Sequence, residues 1–514
     1  MMRKILPLLL IFCSLAAGAV QLRRVNLTAA NLDSLSTPRC YFVVAERLVL
    51  QGAKKIGSQS VVRFEGGEIA GGSLDLNGAQ ISAPAVRVFD GTRLSGTLSN
   101  AEVRVEWFGD PSADASAPIR KAMDVAATGV VTLDPGRFPM KSTVAVERDN
   151  FRFSTPATLV VQGDFAAFDL KSCYLDLEIG AITSATHYRG TGLRFSGNVY
   201  HCDLRLGSLT ELDRGLDFSP AAPLGGKTFV GSQYCRVWFD LISARYGVYI
   251  DNFAAPSAIT STWTNENQFF GGVVSGDYGF YAVYPELQKT SAKYKRADFI
   301  NGVVLNHITF RDIRVLPLRL HKFAMSNLRD ISFEGNQPKG TLIDVRDSWW
   351  TNIGLASPLD PSRVAATDDC YGVILSGAFA DGAGETFDRL VLYPSGTGQC
   401  ARFLTSAVQS YNMYNTLKYN SSATIDYSDL LVRKPNGSRV PSTVLSDLCQ
   451  VTVGAGARLT VTSRGELPPG AMTLCVSLGQ GAGISFKGGA EITRSGTYRV
   501  APDAEGRLSA VAIL

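Results

Sequence analysis

The sequence predicts an all-β fold, a right-handed parallel β-helix with an N-terminal capping helix and a small C-terminal β module. Three observations carry that expectation. Short segments alternate apolar and polar side chains, the period-2 mark of a strand with one buried face. Such segments recur at a long period: Cys173-Tyr-Leu-Asp-Leu, Cys202-Asp-Leu-Arg-Leu and Cys235-Arg-Val-Trp-Phe are spaced by 29 and 33 residues, and Gly215, Gly247 and Gly279 by 32. Helical periodicity is nearly absent from the 514 residues, 50 of which are glycine. A coil that cannot bury its apolar face alone does so by stacking on the next, so one core extends along the chain.

Composition bounds the function. With 45% hydrophobic and 19% charged residues the chain is too apolar to be disordered, and a formal charge of +4 is too balanced for a nucleic-acid binder with a basic face. The N-terminus reads as an address. Arg3 and Lys4 precede the apolar run Ile5 to Leu15, and Ala17, Gly18 and Ala19 supply a cleavage site, so residues 1–19 are expected to be a signal peptide and the mature protein secreted or periplasmic. That run is too short to span a bilayer, and no other stretch of the sequence reaches 18 apolar residues, so no membrane span is expected. Cleavage takes two of the 50 basic residues, leaving 48 against 46 acidic, and one of the nine cysteines. Cys449 and Cys475 flank two strand-like runs and are candidates to pair. Cys173, Cys202 and Cys235 are expected as reduced thiols stacked in the core, where small apolar side chains belong.

Residues 20–105 are expected to form a β prelude, 106–440 the β-helix and 441–514 the C-terminal module, the last read from Val451, Leu459, Ile484 and Thr497 at the heads of short strands split by Gly-rich turns. That module is also the expected oligomer contact. One helix stands out: Ser116 and Pro118 mark its start, and Ile119, Ala122, Met123 and Ala126 share one face. It suits a cap over the exposed end of a stacked core. Further on, Phe310-Arg-Asp-Ile, Leu328-Arg-Asp-Ile and Val345-Arg-Asp follow at spacings of 18 and 17, a shorter coil carrying an Arg-Asp step each time.

The segments Glu106-Trp-Phe-Gly-Asp, Lys121-Ala-Met-Asp-Val-Ala and Val131-Thr-Leu-Asp-Pro-Gly-Arg-Phe together resemble the opening motif of the pectate-lyase-like superfamily. The resemblance covers roughly residues 100 to 360. It implies a right-handed parallel β-helix, of a kind that in many members acts on polysaccharides in bacterial periplasms. Phe64-Glu-Gly-Gly-Glu and Phe89-Asp-Gly-Thr-Arg resemble the β prelude of secreted members. The chain departs from the usual motif at Pro111-Ser-Ala-Asp-Ala-Ser, which replaces a Gly/Asp/Thr-rich loop.

Two chemistries suit such a scaffold. A lyase removes the proton α to a uronate carboxylate and needs fixed cations and a base. A hydrolase needs two carboxyl groups at a set separation. The densest cationic stretch runs through Lys289, Lys293, Lys295, Arg296, His307, Arg311, Arg314, Arg319, His321 and Lys322, with Tyr278, Tyr281, Tyr284 and Tyr294 interleaved. The expected function is therefore cleavage of an acidic, uronate-containing polysaccharide such as a glycosaminoglycan or pectin by β-elimination. The expected catalytic residues are His307, Arg311, Lys295 and Tyr281, with Glu266, Asn265, Arg314, Arg329 and Tyr284 binding substrate. The Arg-Asp steps admit a structural reading too, as pairs between neighbouring coils. For a hydrolase of polygalacturonase type, Glu266, Asp277 and Asp298 are the candidate carboxylates, but no Asp-Asp pair stands out at the repeat spacing. A non-catalytic glycan-binding, tailspike-like adhesion protein is the third reading. No cofactor is expected, and no Asp/Glu-rich loop supports Ca2+.

Overall fold

In a computed structural model the described residues are 22–221, 224–285, 287–367, 370, 372–380, 386–394, 400–405, 414–430, 448–462, 472–502 and 507–512. The leader expected at residues 1–19 lies outside them. The all-β expectation holds: the elements are overwhelmingly strands, and the long helix of the sequence is present at Ser116–Val125. The chain divides into two compact units, residues 1–217 with 222–227 and 235–245, and residues 218–221 with 228–234 and 246–514. These boundaries differ from those expected at 105/106 and 440/441.

The first unit opens with three small parallel sheets. In one, Arg23–Leu27, Cys40–Val44, Val61–Phe64 and Gln80–Ser82 follow one another. From Cys40–Val44 onward, successive strands of one of these sheets are separated in sequence by one strand of each of the other two. Parallel pairing continues from Glu102–Arg104 to Val130–Thr132, Arg152–Val161, Asp176–Ser184 and Asp203–Phe218. Within each strand buried and exposed positions alternate, and in-register neighbours Phe153, Leu177 and Leu204 are all buried. Each such side chain contributes about 1.5–3 kcal/mol, so the repeated row, more than any single residue, holds the unit together. The helix Ser116–Val125 buries Ile119, Ala122 and Met123 and packs on the turn Val105–Phe108.

Two expected alignments need correction. Leu177 pairs with Leu204 and Arg236 N bonds Cys202 O, so Cys202 and Cys235 do stack, both fully buried. Cys173 does not join them: Leu175 N meets Cys202 Sγ at 3.4 Å, and Cys173 is only half-buried, two residues out of register, beside the left-handed corner at Tyr174 (φ 58°). The sequence alignment had placed no corner there. The glycine register is right, and Gly192 lies so close to the next strand that a Cβ would sit 2.5 Å from Gly215 O.

In the second unit Gln268–Phe270, Val304–Asn306, Asn327–Glu334, Asn352–Leu355 and Val373–Ala380 pair in parallel, as do Val273–Ala282, Thr309–His321, Ile343–Arg346 and Val364–Thr367. The expected 18-residue coil is not the true register. Phe310 pairs with Phe333, Leu305 with Leu328 and His321 with Arg346, so the three Arg-Asp steps lie at three different positions of the coil. What they share is a corner: Asp312, Asp330 and Asp347 are left-handed, at φ 53°, 52° and 47°. Short polar side chains tolerate that conformation, which explains the recurring motif without any row of arginines.

Parallel pairing is interrupted before residue 440 and resumes between Tyr414–Tyr419, Leu448–Val453 and Met472–Leu478. Val373–Ala380, Thr386–Pro394 and Cys400–Thr405 pair antiparallel. The C-terminal sheets begin at Tyr414–Tyr419, ahead of the expected 441, and enclose a core that includes Val451, Leu459, Leu474 and Ile484. There Cys449 is buried, and its in-register partner is Leu474, one residue away from Cys475.

Candidate functional site

The sites chosen from sequence do not form one cluster. Two corners, His307 (φ 55°) and Asp312 (φ 53°), bracket Arg311, so it lies on a different side of the coil from the segment that carries Arg314, Arg319 and His321. His307 is exposed, its Nδ1 3.4 Å from Asp330. Arg311 pairs with Glu334 at 2.7 Å and Arg314 with Asp277 at 2.6 Å. Arg329 is exposed and its guanidinium rests on the Asn327 carboxamide, while Lys295 is exposed on the short helix Ala292–Arg296. Glu266 sits at another left-handed corner (φ 52°), held by Gln233 Nε2 at 3.2 Å and by the Tyr234 hydroxyl. Asn265 lies against the main chain of Thr264 and Phe299. Most of these groups are thus one-to-one surface pairs or turn residues.

Tyr281 and Tyr284 lie elsewhere, in the densest polar cluster of the second unit. Parallel register sets Tyr281 level with Arg319 and Arg319 level with Asp344, while His321 is level with Arg346. The Asp344 carboxylate is 4% exposed and serves two guanidiniums. Arg319 Nε donates to Oδ2 at 2.9 Å, and Arg346 Nε donates to Oδ1 and Oδ2 at 3.0 and 3.1 Å. Arg319 Nη1 also donates to the Tyr281 hydroxyl at 2.7 Å. Arg346 lies 4.4 Å over the Tyr284 ring and Arg319 4.8 Å over that of Tyr281. Tyr246 stacks on Tyr278 (4.6 Å, 5°) and Tyr249 on Tyr281 (6.0 Å, 8°), extending the wall. Burial pushes the Tyr281 phenol above its usual range, and Arg319 opposes that by favouring the phenolate.

Behind this face runs a buried chain of three titratable groups. His321 Nδ1 is 2.7 Å from the Val283 carbonyl, which only accepts, so Nδ1 carries a proton. His321 Nε2 is 3.2 Å from the Tyr294 hydroxyl, and that hydroxyl also bonds Asp347. A phenol has one proton. It can therefore donate to only one of its two neighbours at a time. Lys289 reaches Asp347 at 3.3 Å, and the buried Lys322 donates to the Tyr294 and Ala297 carbonyls. Burial lowers the Lys322 pKa, opposed by Asp347 and Asp298. The region sets Arg319, Arg346, Lys289 and Lys322 against Asp344 and Asp347, an excess of positive charge among aromatic rings.

Arg319, His321, Lys322 and Arg346 stood within the cationic stretch and its Arg-Asp steps, but Asp344 was not singled out. The signal that marks it is a carboxylate level with an arginine one coil earlier, visible only once the register is known. Among the described residues no group of three or more His, Cys, Asp or Glu is placed to hold a metal ion. No helix among them is long and apolar enough to cross a membrane. No family model and no curated protein matches the chain. Among solved structures it is loosely similar to a chain described as Geobacillus virus E2 ORF18, at 11% identity and a TM-score of 0.32, over 57% of this chain and 64% of that one, so it spans less than two thirds of that protein.

Proposed function

We propose that the chain is an exported enzyme on a right-handed parallel β-helix, resembling the pectate-lyase-like proteins, that cleaves an acidic polysaccharide by β-elimination on the Tyr281–Arg319–Arg346–Tyr284 face. The observation that carries this reading is the sharing of one buried carboxylate, Asp344, by two guanidiniums flanked by tyrosines. One positive charge is left over, and a uronate carboxylate complements it, since guanidinium grips carboxylate through paired N–H groups. The aromatic rings offer apolar faces to the sugar. In the reaction Tyr281, once deprotonated, takes the proton on the carbon bearing the carboxylate, and because burial raises its pKa this step calls for alkaline pH. The electron pair forms the C4–C5 double bond as the C4–O bond to the next sugar breaks, and the leaving oxygen takes a proton back from Tyr281. Fixed cations stabilise the enolate charge that develops. His307, Arg311 and Lys295 are left out of this reading: the first two face acidic partners, Asp330 and Glu334, and the third is exposed on the short helix Ala292–Arg296.

The test is incubation with polygalacturonate, alginate and chondroitin sulfate while following the unsaturated-uronate absorbance. The wild type should generate that chromophore, and Arg319→Ala and Tyr281→Phe should each slow it by about 10²–10³-fold. New reducing ends without the chromophore would make the chain a hydrolase, and binding without any cleavage an adhesion protein. Either result overturns the lyase.

A further inference from the structure

A second site is carried by the first unit. Parallel register there aligns Arg104, Thr132, Ser154, Glu178 and Arg205, one polar side chain per strand on one face. Strand spacing sets successive members about 4.8 Å apart. Beside this row lie Glu102, Arg152 and Asp176, and between them opens a cleft of about 540 Å3. That is within the range of small-ligand sites.

The bonding inside the cleft is loose. Ser154 Oγ reaches Glu178 at 3.3 Å, Arg152 reaches Asp176 at 3.5 Å and Arg205 reaches it at 3.4 Å. The shorter contacts lie at one edge, where Thr132 reaches Glu102 at 2.9 Å and Arg104 reaches Glu102 and Asp134 at 3.1 and 3.0 Å. Each carboxylate has about four lone-pair sites and each guanidinium five N–H groups, so most of their capacity remains for a ligand. Arg205 is also held 5.5 Å over the Trp238 ring, whose second arginine, Arg236, is fixed by Asp203 at 2.7 and 2.8 Å. An apolar ring therefore adjoins the polar floor.

We propose that this cleft binds a neutral, hydroxyl-rich glycan segment. Its lining sets Glu102, Asp176 and Glu178 against Arg152 and Arg205, so it has no positive excess to draw a uronate, unlike the face in the second unit. Carboxylate, hydroxyl and guanidinium groups set at the strand spacing, which is close to the rise of one sugar ring along an extended glycan, instead match hydroxyls of successive residues, which donate to carboxylates and accept from guanidiniums. The inference does not depend on the lyase reading.

Titration of the full chain by calorimetry with cellohexaose, xylohexaose and maltohexaose, and with hexagalacturonate as the charged control, tests it. At least one neutral hexasaccharide should saturate the wild type, and Glu178→Gln and Arg205→Ala should each weaken it by about tenfold. Both positions are on the surface, so unfolding midpoints should stay near the wild-type value. The proposal is overturned if no neutral hexasaccharide binds at about 10 mM, if the two variants bind like the wild type, or if only hexagalacturonate is lost on their substitution. Loss of lyase activity in Arg319→Ala with neutral-glycan binding intact would separate the two sites.

Discussion

Removing the carboxylate that two arginines share should be among the costliest single changes in the second unit. In Asp344→Ala the guanidiniums of Arg319 and Arg346 lose three N–H···O contacts of 2.9 to 3.1 Å and face each other as like charges. Breaking a buried pair this way costs about 3–5 kcal/mol. The arginine side chains keep 21% and 25% of their exposure, so water recovers part of that loss and a value near the lower end, about 3 kcal/mol, is expected. For a unit of this size that is a fall of about 6 °C in the unfolding midpoint. Scanning calorimetry measures it, and Asp344→Asn, which keeps the shape and loses the charge, should fall between. A double-mutant cycle with Arg346→Ala should give a coupling of about 1–3 kcal/mol. An Asp344→Ala midpoint within about 1 °C of wild type would refute the argument, because a carboxylate buried with two cations cannot be removed freely.

Asp114 accepts from Ser116 N at 2.9 Å and Lys141 N at 3.1 Å; burial raises its pKa, but these bonds together outweigh it and hold the carboxyl below its usual range. A depressed carboxyl contributes stability above its unfolded pKa and loses it as pH falls through the folded value, so Asp114→Asn should cost about 1 kcal/mol at pH 7 and nothing at the acid end of a urea-unfolding series. Tyr294→Phe removes the hydroxyl that bridges His321 and Asp347 inside the second unit and should cost about 1–3 kcal/mol in urea unfolding; an unchanged midpoint would show that the bridge contributes nothing.

The alternation of burial and the recurrence of short strands were legible because they depend only on which residues are apolar, and the helix at Ser116–Val125 because its stripe spans ten residues. The glycine rows were legible since each marks a close backbone approach. Register was not. Cys173 and the Arg-Asp steps resemble their supposed partners in sequence, yet corners shift them by a few residues, and a shift moves a side chain to another place in the coil. The corners themselves misled the choice of site. His307, Glu266, Asp312 and Asp330 occur where they do because the chain turns left-handed there, and such positions attract polar residues that read as chemistry.

Charge density along the sequence therefore misplaces emphasis between two kinds of ion pair that look alike in one dimension. His307–Asp330 leaves its side chains 70% and 56% exposed, and Arg311–Glu334 leaves its own 50% and 49% exposed. Such pairs contribute about 0–1 kcal/mol and cancel their own fields. The Arg319–Asp344–Arg346 triad differs on both counts: its carboxylate is buried, which makes the arrangement costly to break, and its stoichiometry is two to one, which leaves a charge unspent. A structural pair needs only the first property. A site that must hold an anion needs the second, and around Asp344 both guanidiniums sit at 2.9 to 3.1 Å, whereas the comparably buried Asp217 holds Arg214 at 2.8 Å but Arg194 only at 3.9 Å.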